Sequence, residues 1–183
     1  WSAYRLMFVT WLAGPIEPKM AAKLTGMSRA AVSNLAKPLV EAGAIEVVRA
    51  NLDGALIGFA VPETSYQAGL KTYADIAKFK DQLGGKIYGI EAGAGLTKVT
   101  QQSAIPKYGL NNISFKISST PAMLSQLKKA ADAKRDIAVT LWRPHWAYGA
   151  FPIRDLKDPK KAMGDADVIY SFARSGFEQD FPK

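Results

Sequence analysis

The chain has no cysteine and a single histidine. The first absence excludes disulfides, thiolate metal sites and cysteine nucleophiles, and leaves the redox compartment open. The second excludes a multi-histidine metal centre and confines any Ser-His-Asp arrangement to His145. His145 lies between Pro144 and Trp146, with no acid nearby in sequence to orient it as a base. Paired carboxylates and metal-ligand spacings are also lacking. The expectation is a protein that is not an enzyme, with no catalytic residue, no metal and no cofactor. Long apolar runs are missing as well: none approaches the roughly 18 residues of a membrane span. The opening stretch WSAYRLMFVTWLAG carries Arg5 and no basic leader. Its Tyr4, Phe8, Trp11 and Leu12 recur at helical spacing, so it reads as an amphipathic helix and not as a signal peptide.

What is present is ordinary for a globular chain. Hydrophobic residues make up 48% and charged residues 22% of the 183, enough for one medium domain or two small ones. The net charge of +8 divides into +2 up to Gly54 and +6 beyond it. So spread a surplus attracts polyanions only weakly.

Two stretches stand out. Val139 to Tyr148 reads VTLWRPHWAY and holds Trp142, His145 and Trp146. The preceding run Ile137 to Leu141 is β-branched enough for a buried strand, and Pro144 ends its ladder. Lys86 to Thr97 reads KIYGIEAGAGLT. It is a short apolar strand, then a turn with Gly93 and Gly95, then a helix opening at Leu96-Thr97. Free backbone N–H groups at such a turn make an anion site. The spacing of Gly89, Gly93 and Gly95 does not fit a dinucleotide fingerprint. The glycines alone fit a plain tight turn equally well. Trp142 alone reads more readily as a core residue; together with the glycine turn it suggests one site with an anion end and an aromatic end, suited to a zwitterion whose quaternary ammonium binds an aromatic face.

Further strands are expected at Ile113 to Ser118 and Asp167 to Arg174, and helices at Tyr73 to Asp81, Thr97 to Tyr108 and Pro121 to Ala133. In the last helix Met123, Leu124 and Leu127 face inward. Alternating strands and helices of this length imply an α/β unit with a mainly parallel sheet and flanking helices. The tail from Glu178 reads as frayed or cut short.

On GKIYGIEAGAGLT (85–97), SSTPAMLSQLKKA (118–130), TLWRPHWAY (140–148) and DLKDPKKAMG (155–164), the stretch from about Gly58 to Phe181 resembles one lobe of the substrate-binding proteins of glycine betaine/proline betaine ABC importers. The resemblance implies a periplasmic-binding-protein-like lobe, one of two that close on the ligand. It implies that Trp142 is a cage tryptophan, with His145 and Trp146 beside it, and that the amides of Gly95 and Leu96 hold the ligand carboxylate. Ala94 stands where some relatives have another cage tryptophan. The family's other cage aromatics lie on a partner lobe that has no recognisable counterpart in this sequence.

Residues 1–54 read differently. Gly14-Pro15 ends the first helix, and Pro18 opens a second with Met20, Ala21 and Leu24 inward. Ser28 caps a third, Arg29 to Ala42, with Val32, Leu35, Ala36, Leu39 and Val40 inward and Gly43 after its end. Pro38 inside it requires a kink or argues against the helix. Ile45 to Arg49 and Ala55 to Val61, around a polar turn, fit a hairpin. The stretch GPIEPKMAAKLTGMSRAAVSNLAKPLVEAGAI resembles the winged helix-turn-helix of MarR-type regulators. By that resemblance Ser28, Arg29, Ser33, Asn34 and Lys37 face a DNA groove and Arg49 approaches the wing phosphates. The expected domains are 1–54 and 55–183, with 55–61 fitting either. Two resemblances end to end have the pattern of a chimera, a gene-prediction fusion or an engineered chain.

The preferred reading is a binder of a small betaine-type zwitterion, with the membrane component of an ABC transporter as partner if the protein is exported. The alternative is a DNA-binding regulator with the lobe as effector domain. A homodimer would supply the missing cage wall. The lobe resemblance implies an extracytoplasmic place and the DNA-binding one a cytoplasmic place.

Overall fold

The structure is a computed structural model. It describes residues 2–182 apart from Gly14, Glu17 and Ser28, and for residues 11, 12, 18, 19, 29, 30 and 33 the backbone alone. The chain forms two compact units: residues 1–54 with 167–183, and residues 55–166. It passes from one to the other at Gly54-Ala55 and at Ala166-Asp167.

The first unit holds helices α1 (Ser2–Ala13), α2 (Pro18–Thr25) and α3 (Arg29–Glu41). α3 runs through Pro38, on an exposed face where a carbonyl that loses its donor can turn to water. It ends in a Schellman motif, with Ala44 N–H donating to Leu39 O and Gly43 N–H to Val40 O, and Gly43 at φ +67°. Leu6, Ile16, Ala21, Ala22, Val32, Ile45 and Phe172 are buried together, with Leu35 and Leu39 half-buried against them. Tyr4, Phe8, Met20 and Leu24 are half or more exposed, contrary to the inward faces expected of Met20 and Leu24. α1 is apolar nearly all round, so spacing alone does not choose its inner face; among its described side chains Leu6 and Thr10 are the fully buried ones. Trp11 and Leu12 lie outside the described side chains.

The expected hairpin is not there. Ile45–Pro62 is one continuous strand, β1, and its partner in this unit is β6 (Asp167–Arg174), from the far end of the chain. Asn51 Nδ2 donates to Ser171 Oγ at 2.8 Å, and Ile16 N–H to Phe172 O at 3.0 Å. A partner brought back by the tail replaces the local one. The tail is not frayed: α9 (Phe177–Asp180) sets the Phe177 and Phe181 rings 5.0 Å apart.

The second unit continues β1 and adds α4 (Glu63–Gln67), β2 (Lys86–Tyr88), α5 (Gly95–Val99), α6 (Ile105–Lys107), β3 (Ser114–Lys116), α7 (Thr120–Asp132), β4 (Val139–Arg143), α8 (Ala147–Ala150) and β5 (Ile153–Asp155). A π turn over Thr100–Ala104 joins α5 to α6. Pro106 follows it and has no N–H for the carbonyl four residues back, which explains the altered register. The strand order is β3-β2-β4-β1-β5. β2 pairs in parallel with β3 and β4, whereas β1 runs antiparallel to β4 and β5. The sheet is therefore mixed, not mainly parallel. Helical crossovers make β2, β3 and β4 parallel, while β1 enters from the other unit in the opposite direction. Phe59, Val61, Ile87, Val139 and Leu141 from strands meet Leu96, Met123, Leu127 and Ala130 from helices in one core. No described helix is long and apolar enough to cross a membrane.

Candidate functional site

β2 and β4 are hydrogen-bonded parallel neighbours, with Tyr88 opposite Val139. Their carboxyl ends therefore leave the sheet by the same edge, where ligands of open α/β sheets bind. From β2 this edge receives the turn Gly89 to Ala94 and the start of α5. From β4 it receives Trp142 and the turn that follows.

Side chains from the next strand connection staple the first turn. Ser118 Oγ donates to Gly89 O at 3.0 Å. The Glu91 carboxylate accepts from Thr120 N–H at 2.9 Å and Thr120 Oγ1 at 2.8 Å, a charge-assisted pair at the start of α7. Gly89 has to be glycine: a Cβ there would lie 2.5 Å from the Phe115 ring. Gly93 and Gly95 meet no such obstacle and border open space. The first intrahelical bond of α5 is Lys98 N–H to Ala94 O at 3.1 Å, so the amides of Gly95, Leu96 and Thr97 precede the helical ladder. Ala94, at the N-cap, offers no side-chain acceptor to them. The Leu96 side chain is buried and anchors the turn.

Trp142 is half-buried and pairs across the ladder with Ile57. His145 meets its ring edge-on, with centroids 4.5 Å apart, and Trp146 follows at 5.5 Å from His145. Trp146 is 62% exposed, so it is no core residue. The peptide Arg143-Pro144 is cis. His145 Nδ1 accepts from Ala147 N–H at 3.1 Å, which leaves the ring proton on Nε2. Burial lowers its pKa from the usual imidazole value. With Nδ1 bound to a backbone amide, no carboxylate orients His145 as a base. Among the described residues no cluster of His, Cys, Asp or Glu is placed to hold a metal ion.

The structure thus brings Trp142, His145 and Trp146 together and places the Gly95 and Leu96 amides on the same sheet edge. Sequence reasoning missed Glu91, Ser118 and Thr120. Thr120 and Glu91 lie 29 positions apart, so no local spacing joins them. It missed Tyr148 and Asp155 as well: Tyr148 OH donates to Asp155, as does Arg143 Nε at 2.5 Å. The structure describes only part of the set expected to read DNA. Ser28, and the side chains of Arg29 and Ser33, lie outside the described residues. Asn34 and Lys37 are exposed, and Lys37 pairs with Glu41 at 4.0 Å. Arg49 lies on a continuous strand, not a wing, with Nε donating to Asn51 Oδ1 at 3.1 Å.

Comparison with known proteins separates the two resemblances. The glycine betaine/carnitine transport binding protein GbuC of Listeria monocytogenes serotype 1/2a (strain 10403S) is 42% identical over 104 residues, 56% of this chain and 34% of that protein. The glycine betaine, L-proline ABC transporter binding protein ProX from Borrelia burgdorferi superposes with a TM-score of 0.68 at 32% identity, over 81% of this chain and 54% of that one. Lactococcal OpuAC, closed on glycine betaine, gives 0.68 at 29%, over 82% and 56%. An ABC-transporter choline binding protein in complex with choline gives 0.66 at 29%, over 82% and 53%. The chain spans about a third of the curated relative and about half of each solved one. These relatives are substrate-binding proteins, not enzymes. The comparisons support neither the MarR-type resemblance nor DNA or a second copy of the chain as partner. The model for the substrate binding domain of ABC-type glycine betaine transport systems matches residues 21–183, and the chain belongs to that family.

Proposed function

We propose that this chain binds a zwitterionic quaternary ammonium compound of the glycine betaine type, as part of the substrate-binding component of an ABC importer whose membrane component is its partner. The observation that carries this reading is the placement of the Gly93–Leu96 turn and Trp142 at the carboxyl ends of two hydrogen-bonded parallel strands. Trp142 supplies an aromatic face to the ammonium. The Gly95 and Leu96 amides, ahead of the α5 ladder, supply donors to the carboxylate. His145 and Trp146 border the aromatic end. The ligands named for the relatives, glycine betaine and choline, share the quaternary ammonium.

One aromatic wall implies modest affinity. A desolvated cation–π contact contributes about 2 kcal/mol and an exposed one about 0.5–1. Trp142 is half-buried and Ala94 adds no second wall, so binding by this chain is expected to be weak. Calorimetric titration with glycine betaine and with choline tests the reading. Choline lacks the carboxylate, and hydrogen bonds to a charged group contribute about 1.5–3 kcal/mol. It should bind roughly ten- to a hundred-fold more weakly than glycine betaine. Trp142→Ala should abolish both heats. Equal affinity for the two ligands would remove the amides from the site, and unaltered binding by the Trp142→Ala variant would remove the cage.

A further inference from the structure

The turn Pro144 to Ala147 carries His145 and Trp146, and its own hydrogen bonds are local. Ala147 N–H donates to His145 Nδ1, Tyr148 N–H to His145 O at 3.3 Å and Gly149 N–H to Trp146 O at 2.9 Å. None of these reaches the sheet. Arg143, before the turn, is the last residue of β4 and stands opposite Leu56, Tyr148 follows the turn, and the two side chains meet at one carboxylate on β5. Arg143 Nε donates to Asp155 Oδ2 at 2.5 Å, and Tyr148 OH donates to Asp155 Oδ1. The Arg143 guanidinium also lies over the Tyr148 ring, 3.6 Å from its centroid. Asp155 itself is held in register: it stands opposite buried Ala60 on β1, and Leu156 N–H donates to Phe59 O at 2.9 Å.

We infer that Asp155 is a positioning residue for the betaine site, a carboxylate on β5 that clamps Arg143 and Tyr148 and so fixes the turn presenting His145 and Trp146 beside Trp142. The inference rests on the proposed function. Each carboxylate oxygen takes a different donor, so the clamp needs both. Burial, and then the bond to Asp155, push the Tyr148 hydroxyl well above the ordinary tyrosine pKa, so it remains a donor.

The test uses the whole chain with Asp155→Asn, which keeps the shape but cannot accept from both donors, and with Tyr148→Phe, which removes one tie and leaves the ring. Near-UV circular dichroism without ligand reads the packing of the tryptophans. Calorimetry reads glycine betaine affinity, and far-UV circular dichroism reads the fold. Asp155→Asn should lose tryptophan near-UV signal and bind at least tenfold more weakly, with far-UV signal unchanged. Tyr148→Phe should do the same to a lesser degree, about threefold, and it serves as the test should Asp155→Asn fail to fold. Variants that melt earlier but keep the wild-type near-UV spectrum and affinity would make Asp155 merely structural and overturn the inference. If the wild-type chain binds no glycine betaine, the proposed function fails, and the near-UV comparison still decides whether the clamp orders the turn.

Discussion

Residues 55–166 bury large side chains from both strands and helices, among them Phe59, Tyr73, Ile87, Met123 and Leu127, around one sheet. Residues 1–54 with 167–183 bury a smaller set and leave Tyr4, Phe8, Met20 and Leu24 half or more in solvent. The unit of residues 55–166 is a single run of chain in which strand and helix alternate. The other is assembled from the two ends of the chain, and its strands meet only because β6 returns to β1. A unit built from consecutive elements declares its inner faces in the local pattern. A unit built from distant pieces does so only in part: Val32, Leu35 and Leu39 of α3 face inward as their spacing predicts, whereas Met20 and Leu24 do not, since a partner that helps decide the inner face lies more than a hundred residues away.

The largest effect that sharpens this contrast is a pair of truncations. Leu127 is fully buried, so Leu127→Ala should lower stability by about 2–5 kcal/mol. Leu24 is 53% exposed, so Leu24→Ala should stay within about 0.5 kcal/mol. Urea midpoints measure both, and equal losses would break the comparison.

Next come two glycines that are glycine for different reasons. Gly89→Ala drives a methyl into the Phe115 ring and should cost about 1–3 kcal/mol as overpacking. Gly43 has open space but φ +67°, so Gly43→Ala should cost about 1–2 kcal/mol through the backbone. Phe115→Leu should relieve the first substitution and leave the second untouched. A double-mutant cycle reads this directly, and relief of both or of neither defeats the assignment.

The smallest effect is alkaline. Burial raises the pKa of Tyr73 above the usual tyrosine value, so the unfolded chain loses this proton first as pH rises. Above about pH 10 the unfolded state therefore binds fewer protons than the folded one, and stability falls with rising pH. The contribution is present below that pH and is lost as pH rises through the folded pKa. For Tyr73 the slope is at most about 1.4 kcal/mol per pH unit. Tyr73→Phe should flatten the decline in urea midpoint between pH 9 and 11, and an unchanged slope would show that other groups cause it.

Sequence patterns alone determined a good part of this molecule. The apolar run before Trp142, the glycine turn after Tyr88 and the helix inner face of Met123, Leu124 and Leu127 were legible because each is set by neighbours within a few positions. The strand over Asp167 to Arg174 was legible for the same reason, although its partner was not. A continuous β1 in place of a hairpin was illegible, because Asp53-Gly54 is as good a turn signal as it is an interruption tolerated within a strand. Only long-range pairing with β6 decides between the two. The mixed sheet depended likewise on the direction in which β1 enters, which no local period encodes. At the proposed site, the types and order of Gly95, Leu96, Trp142, His145 and Trp146 were present in sequence. Their shared sheet edge was decided by the Tyr88–Val139 pairing, and the Glu91–Thr120 staple and the Asp155 clamp by contacts between strand connections. Local chemistry names the groups a ligand can use, while tertiary pairing sets the edge at which they meet.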